Sequence, residues 1–194
     1  GNLFDVFTAI QSSEAYLSHV DDLPHGAALI DDEVLKRLKA GADVPACFAC
    51  RPVLAAGIGE KLQPVGGLPE IPIVLVNPKK ACPTGDVFKR FDRNFAGPVT
   101  LPESFNPENL VEFLCSTENM LTGPAIERVP DIADTLAILA DLEGCRLARL
   151  SGSGATCFGL FEDSEAAEAA ASAIALQKPE WWVRAGTLNR PERY

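Results

Sequence analysis

The order of strand and helix patterns from Ile71 onward predicts an α+β fold. Ile73–Val76 is a continuous apolar run, which is typical of a strand buried on both faces. Two further strand patterns, Cys145–Leu150 and Ala155–Phe161, are separated by a short turn, and a last one covers Trp181–Leu188. Helical patterns lie before and after the paired strands. The order strand, helices, strand, strand, helix, strand matches a split βαββαβ, or ferredoxin-like, layer of helices on an antiparallel sheet.

The region before this fold gives weaker patterns. Residues 1–28 have only partial helical spacing and are left unassigned. A short helical pattern that ends at Gly41 is followed by short strand patterns at Pro45–Ala49, Val53–Ala56 and Lys61–Val65. The pair Gly66-Gly67, with prolines close behind it, is the best candidate for a boundary. The predicted domains are therefore a small segment at 29–67 and a carboxy-terminal domain at 68–194.

The helices of the carboxy-terminal region are predicted from apolar spacing and from residues that begin or end helices. In the longest pattern Ile132, Leu136 and Leu139 share one face, and Gly144 ends the helix. The other predicted helices are Asp86–Phe91, Glu108–Cys115 and an alanine-rich helix that Asp163 or Ser164 caps and that ends near Leu176.

Acidic residues dominate the charge of the chain. There are 27 Asp and Glu against 17 Lys and Arg, which gives a formal net charge of -10. A negative field of this size repels phosphate backbones and argues against a nucleic-acid partner. An anionic small molecule would therefore need a local positive or backbone-amide site.

Hydropathy and cysteine usage indicate a cytoplasmic protein with no membrane partner. No apolar run approaches the ~20 residues that span a bilayer, and the start of the chain does not resemble a secretory signal. The six cysteines lie mostly inside apolar stretches, as reduced cytosolic thiols do. Cys47-x-x-Cys50 has no second pair at zinc-ligand spacing, so both are interpreted as buried thiols and no metal site is predicted.

The turn Ser151-Gly152-Ser153-Gly154 between two predicted strands allows two interpretations. The glycines permit positive φ and close approach of a ligand, successive amides can bind an anion, and the serine hydroxyls add donors. Glycine and serine are also common in hairpin turns that bind nothing. The spacing alone favours the plain hairpin.

A family resemblance changes that weighting. The stretch LSGSGATCFGLF at Leu150–Phe161 resembles the third signature of the GHMP kinases, and within them it is most similar to the 4-diphosphocytidyl-2-C-methyl-D-erythritol kinase family. Three more stretches resemble the same family in the same order, at Gly41–Phe48, Gly57–Val65 and Val74–Phe88. Asn119-Met120-Leu121 is loosely similar to an Asn-Asp-Leu of the family. Four ordered matches make the resemblance specific.

The resemblance implies roles for individual residues. Asp43, which by itself is a turn aspartate of ordinary structural type, matches the carboxylate that orients the substrate hydroxyl and accepts its proton. Phe88, ordinarily a core residue, matches an aromatic that stacks on a cytosine ring, and Thr84 in the same loop would contact substrate or phosphate. The turn Ser151–Gly154 would bind ATP phosphates. The implied cofactors are ATP and Mg²⁺, and the implied partner is a small-molecule cytidine diphosphate substrate.

One part of the family pattern has no counterpart in this sequence. The family binds ATP phosphates with a Pro-x-x-x-Gly-Leu-Gly-Ser-Ser loop ahead of a helix, and no such stretch occurs. The Gly57-x-Gly59 pair is no substitute for this loop, because no helix pattern follows it. The family also uses a lysine in its first strand, whereas this sequence has no lysine before Lys36. The chain is expected to be truncated, with 29–67 a remnant of the amino-terminal catalytic domain, and inactive by itself.

Two other functions remain open on these observations. The chain could be a non-catalytic ligand-binding or interaction module derived from such a kinase. It could also belong to another GHMP small-molecule kinase that acts on a different alcohol. The oligomeric state is not predicted.

Overall fold

The computed structural model describes residues 52–56, 61–92 and 100–189. The chain divides into two compact units, residues 1–66 with 91–100 and residues 67–90 with 101–194. The described part of the first unit is an antiparallel hairpin of β1, Val53–Ala56, and β2, Lys61–Pro64. The backbone N–H of Val65 donates to the carbonyl of Pro52 at 3.0 Å and closes its open end. The domain limits predicted at residues 28 and 67 stay predictions.

The second unit is built on one four-stranded antiparallel sheet. The strand order is β4-β5-β3-β6, so β3 and β5 are central and every neighbouring pair is antiparallel. This order is that of a ferredoxin-like sheet and confirms the predicted α+β fold class. The strands are β3, Ile71–Asn77; β4, Cys145–Leu150; β5, Cys157–Phe161; and β6, Trp182–Leu188.

Five helices accompany this sheet in the described ranges. They are α1, Thr84–Arg90; α2, Pro107–Cys115; α3, Thr122–Arg128; α4, Asp131–Ala140; and α5, Ser164–Gln177. Helix α3 was not predicted from the sequence. Four of the five lie between β3 and β4, where the simplest form of this fold has a single helix.

The core lies between the helices and the central strands. All five residues of β5 are buried, and in β3 the buried residues include Val74 and Val76, both fully shielded from solvent. Ile132 and Leu139 of α4 and Ile174 of α5 are equally buried. The apolar runs of β3 and β5 agree with the buried residues that both strands have on each face of the sheet.

Side chains fix where two of the helices begin. Asn106 and Asn109 form a reciprocal capping box at α2, each accepting a backbone N–H at 2.8 Å from the other. Asp163 caps α5 by accepting the N–H of Ala166 at 2.8 Å. Asp163, and not Ser164, is therefore the capping residue of the alanine-rich helix.

A buried arginine ties the end of α2 to the sheet. Arg149 of β4 is only 8% exposed, and its Nη2 donates to the carbonyls of Leu114 and Thr117, both at 2.7 Å. Its Nη1 donates to the Thr117 hydroxyl at 3.1 Å. Desolvation lowers the pKa of Arg149, although the nearby Cys115 and Glu118 act in the opposite direction. The guanidinium thus gives charged donors to carbonyls at and just beyond the end of α2.

Candidate phosphate and substrate site

The Ser151–Gly154 turn joins β4 to β5 and is closed by its own backbone. The N–H of Ser151 donates to the carbonyl of Thr156 at 2.9 Å, and the N–H of Gly154 donates to the carbonyl of Ser151 at 3.0 Å. Gly152 has φ of +53° and Gly154 has φ of +88°, a region that residues with a Cβ rarely occupy. The turn therefore depends on both glycines for its conformation.

Gly154 also lies against the core. A Cβ at this position would approach the Cδ1 atoms of Ile132 and Leu150 to 3.1 Å, and the Cys82 Sγ to 3.6 Å. The turn is thus packed on α4 and on the loop that precedes α1.

Ser153 connects this turn to the loop before α1. Its Oγ lies 2.9 Å from the Oγ1 of Thr84, a hydrogen bond in which either hydroxyl can donate. Its carbonyl accepts from the Cys82 thiol at 3.3 Å. Thr84 and Ser153 are 69 residues apart in the chain, yet the fold brings these two predicted site residues into direct contact.

Asn119, in the loop between α2 and α3, holds the other side of the turn. Its Nδ2 donates to the carbonyl of Gly152 at 2.7 Å and to the carbonyl of Leu150 at 3.0 Å. Its Oδ1 accepts the N–H of Leu121 at 2.9 Å, which fixes the amide orientation. All hydrogen-bonding groups of this side chain except one lone pair are therefore used within the fold.

Phe88 lies on the same face of α1 as Thr84, because residues four apart are neighbours on a helix. Its side chain is half-buried. The helix that brings Thr84 to the Gly-Ser turn thus places an aromatic ring one turn further along.

Basic side chains surround this helix in an otherwise acidic protein. Lys79 and Lys80 are exposed in the loop after β3, and Lys80 makes only a long ion pair of 3.9 Å with Asp131. Asp86 of α1 is paired with Arg128 at 3.2 Å, so this carboxylate is neutralised within the fold. The loop backbone is held by Asn77, whose Oδ1 accepts the N–H of Lys79 at 2.7 Å. Two exposed lysines in this loop suit an anionic ligand.

The remaining predicted site residue, Asp43, lies outside the described residues, as do Cys47 and Cys50 and the Gly57-x-Gly59 pair. None of the helices in the described ranges has the length and apolar character needed to cross a membrane.

Comparison with known proteins identifies the unit that carries this turn. The family model described as GHMP kinases C terminal matches residues 106–179, which include Asn119 and the whole of Ser151–Gly154. Residues 106–179 are thus similar to the carboxy-terminal domain of GHMP kinases. A crystal structure of 4-(cytidine 5'-diphospho)-2C-methyl-D-erythritol kinase superposes with a TM-score of 0.61 at 28% identity, covering 90% of this chain and 62% of that chain. Homoserine kinase from Cytophaga hutchinsonii, at 16% identity and a TM-score of 0.50, shares the fold.

Curated relatives resemble the chain more closely in sequence. A protein of Cereibacter sphaeroides (strain ATCC 17029 / ATH 2.4.9) named 4-diphosphocytidyl-2-C-methyl-D-erythritol kinase is 52% identical over 149 residues, which are 75% of this chain and 54% of that protein. A protein of the same name from Paracoccus denitrificans (strain Pd 1222) is 48% identical over 150 residues, 76% of this chain and 55% of that protein. The chain spans about half the length of the curated relatives it matches.

The sequence patterns indicated the Gly-Ser turn but not the residues that hold it. Cys82 lies in the family-like loop, and Asn119 lies in the family-like Asn-Met-Leu, but neither was assigned a role. The signal was present in both cases, since each belongs to a stretch that resembles the family. Only the structure shows that both side chains donate hydrogen bonds to backbone carbonyls of the Gly-Ser turn.

Of the two thiols near the turn, Cys157 is buried and Cys82 is half-buried, and the pKa of each is raised. Burial raises the pKa of the Cys157 thiol to about 12, with the neighbouring Cys82 adding to the effect. Burial also raises the pKa of Cys82, while Arg128 opposes the shift. No group of three or more His, Cys, Asp and Glu within the described ranges is arranged to hold a metal ion. These thiols are thus packing and hydrogen-bonding groups, not nucleophiles.

Cys157 is expected to make the protein lose stability in alkali. An unfolded thiol ionises near pH 8.5, whereas the folded thiol stays protonated to about pH 12. Between these values the unfolded state has lost a proton that the native state keeps, so the free energy of unfolding falls as pH rises. Urea denaturation at pH 8 and pH 10.5 measures this change. Between the two pH values the free energy of unfolding should decrease less for Cys157→Ala than for the wild type. Equal decreases would contradict this role, and Cys115→Ala, at an exposed thiol, is the control.

Proposed function

We propose that this protein supplies the carboxy-terminal part of an ATP-dependent kinase that phosphorylates a hydroxyl of 4-diphosphocytidyl-2-C-methyl-D-erythritol. The observation that supports this most directly is the hydrogen bond between Thr84 and Ser153. It joins the first residue of α1, the helix proposed to bind the substrate, to the turn proposed to bind phosphate. The names of the relatives, at up to 52% identity, support the choice of substrate.

The turn is suited to a phosphate group by its backbone and its hydroxyls. Ser151, Gly152, Ser153 and Gly154 are proposed to line the ATP phosphates, with the backbone N–H groups of Gly152 and Ser153 and the serine hydroxyls as donors. Lys79 and Lys80 add positive charge at the neighbouring loop. Phosphoryl transfer depends mainly on positioning the reacting groups and on neutralising the charge of the phosphates. These residues can contribute to both.

The substrate side is proposed to use helix α1. The ring of Phe88 would stack on cytosine, and the Thr84 hydroxyl would bind a polar group of the substrate or a phosphate. Asp43 is proposed to orient the acceptor hydroxyl and to take its proton as the new O–P bond forms. It lies outside the described residues, so its role rests on the family resemblance.

Mg²⁺ is proposed to come with the nucleotide. Mg²⁺ is commonly bound by one or two carboxylates together with substrate phosphates and water. When bound, it would neutralise charge on the phosphates. The described residues would contribute hydroxyl and amide donors to those phosphates from the Ser151–Gly154 turn.

Cytidine binding by the 194-residue protein tests the proposal. Calorimetry with cytidine 5'-diphosphate is expected to show binding, and Phe88→Leu is expected to weaken it about tenfold, since stacking of a base on an aromatic ring is worth roughly 1–3 kcal/mol. Phe113→Leu is the matched control, because Phe113 of α2 packs edge-on against Phe105, with ring centroids 6.0 Å apart. Its cytidine affinity should equal that of the wild type.

Two results would count against the proposal. Absence of cytidine 5'-diphosphate binding by the folded wild type would favour a non-catalytic interaction module. Equal weakening by both phenylalanine substitutions would show that ring loss acts through stability and not through stacking.

A further inference from the structure

Four consecutive carbonyl groups, from Leu150 to Ser153, accept hydrogen bonds within the protein. Asn119 binds the carbonyls of Leu150 and Gly152, the N–H of Gly154 binds that of Ser151, and the Cys82 thiol binds that of Ser153. Carbonyl oxygens carry partial negative charge and repel anions, whereas N–H groups attract them. The N–H groups of Ser151 and Gly154 are also used within the turn, so the amides of Gly152 and Ser153 are the ones that the turn can present to an anion.

Peptide geometry shows where one of these amides points. The Gly152–Ser153 peptide is trans, since the cis bond of this region is Gly154–Ala155. In a trans peptide the C=O and the following N–H point in opposite directions. Because Asn119 holds the Gly152 carbonyl at 2.7 Å, the N–H of Ser153 is directed to the opposite side of the turn.

We propose that Asn119 is a positioning residue for a bound phosphate group. By holding the carbonyls of Leu150 and Gly152 it keeps two repulsive dipoles away from the anion and turns the Ser153 N–H toward it. The inference rests on the proposed function, because it concerns the same turn. Asn119 does not touch the phosphate itself and acts through the backbone.

The side-chain chemistry required at this position is specific. Asparagine supplies two N–H donors for the two carbonyls and one acceptor for the N–H of Leu121. Aspartate has the same shape and keeps the acceptor, but it places a carboxylate against two carbonyl oxygens. The Asn119→Asp substitution therefore removes the donors while leaving the contact with Leu121.

The test measures phosphate binding by the folded 194-residue protein with inorganic tripolyphosphate as the probe. The ¹H–¹⁵N resonance of the Ser153 amide is followed during the titration at pH 8. In the wild type it is expected to shift with added tripolyphosphate. In Asn119→Asp the dissociation constant is expected to rise about tenfold, the effect of losing roughly one hydrogen bond to a charged group. ATP and cytidine 5'-diphosphate are titrated in parallel to separate the sources of phosphate.

The pH profile provides a readout that a purely structural role would not change. Burial against two carbonyls disfavours the charged form of an introduced carboxyl, so its pKa is raised. Once protonated it regains one O–H donor and can bind a carbonyl again. The ratio of variant to wild-type dissociation constants is therefore expected to fall between pH 8 and pH 5.

Asn109→Asp is the matched control. Asn109 also bridges backbone groups, through a donor to the Ser104 carbonyl and an acceptor for the N–H of Asn106, but it belongs to the capping box of α2. Its substitution should leave the tripolyphosphate affinity unchanged. If Asn119→Asp does not fold, Asn119→Ser, whose short side chain cannot reach both carbonyls, takes its place in the comparison.

The possible results separate this inference from the proposed function. Unchanged tripolyphosphate affinity in Asn119→Asp, or a wild-type Ser153 amide that does not respond, overturns the positioning role even if cytidine binds. Loss of affinity in both asparagine variants overturns it as well, because the effect would then be one of stability. A tenfold rise of the tripolyphosphate dissociation constant in Asn119→Asp alone supports the positioning role. If cytidine 5'-diphosphate does not bind in that case, only the proposed substrate is contradicted.

Discussion

Substitution of Gly144 by alanine is expected to lower the free energy of unfolding by about 2–4 kcal/mol, the sum of a backbone and a packing cost. Gly144 lies at φ of +76°, where a Cβ meets the following carbonyl. A Cβ there would also lie 2.8 Å from the Cβ of Ala166 and 3.2 Å from the Cγ of Glu162. Because the first of these atoms lies at the start of α5, and cannot rotate away, the helix must shift. Urea denaturation of the two proteins measures the difference.

Gly67→Ala is the matched control for the backbone part of this effect. Gly67 has nearly the same φ, +69°, but a Cβ there would meet nothing within 4 Å. Its cost is therefore expected to be about 1 kcal/mol, that of the left-handed conformation alone. Equal losses at Gly144 and Gly67 would show that the approach to Ala166 has no energetic consequence.

The 194-residue protein alone is expected to show no ATP-dependent phosphorylation of 4-diphosphocytidyl-2-C-methyl-D-erythritol above background. Its sequence contains no Pro-x-x-x-Gly-Leu-Gly-Ser-Ser loop, and a single Gly-Ser turn offers few donors for a triphosphate. Release of ADP in the presence of Mg²⁺ and the substrate measures the activity. Robust turnover by this chain would contradict the expectation and would require another phosphate site.

A longer protein, in which this sequence follows an amino-terminal half that contains such a loop, provides the positive control. It is expected to turn over, and Asp43→Asn in that protein is expected to reduce kcat by roughly 10²–10⁴, the usual contribution of a general base. An Asp43→Asn variant with unchanged kcat would assign proton acceptance to another group.

The sheet could be predicted because its central strands carry their own signal. β3 and β5 have buried residues on both faces, and their sequences are continuous apolar runs. The apolar character of each segment therefore matches its buried position in the fold. Helix α3 could not be predicted in the same way, because Gly123 and Pro124 weaken its local preference for a helix. Contacts distant in sequence stabilise it, namely the burial of Ala125 and the ion pair between Arg128 and Asp86.

The candidate site was predicted in its parts but not in its connections. The Gly-Ser turn has a local sequence signal, and so does the loop with Thr84. Nothing local indicates that Ser153 contacts Thr84 and Cys82, which lie 69 and 71 residues away. Arg149 is a further case, since the pattern of β4 does not reveal that its guanidinium reaches the carbonyls at the end of α2.

The contact between Thr84 and Ser153 limits what the two hydroxyls can recognise at one time. Each hydroxyl has a single proton, and either can donate across the 2.9 Å contact. When Ser153 gives its proton to a phosphate, Thr84 must donate to Ser153, and its oxygen can then only accept. An anion on the turn would thus commit Thr84 to partners that donate, such as an alcohol, and an empty turn would leave it able to donate elsewhere.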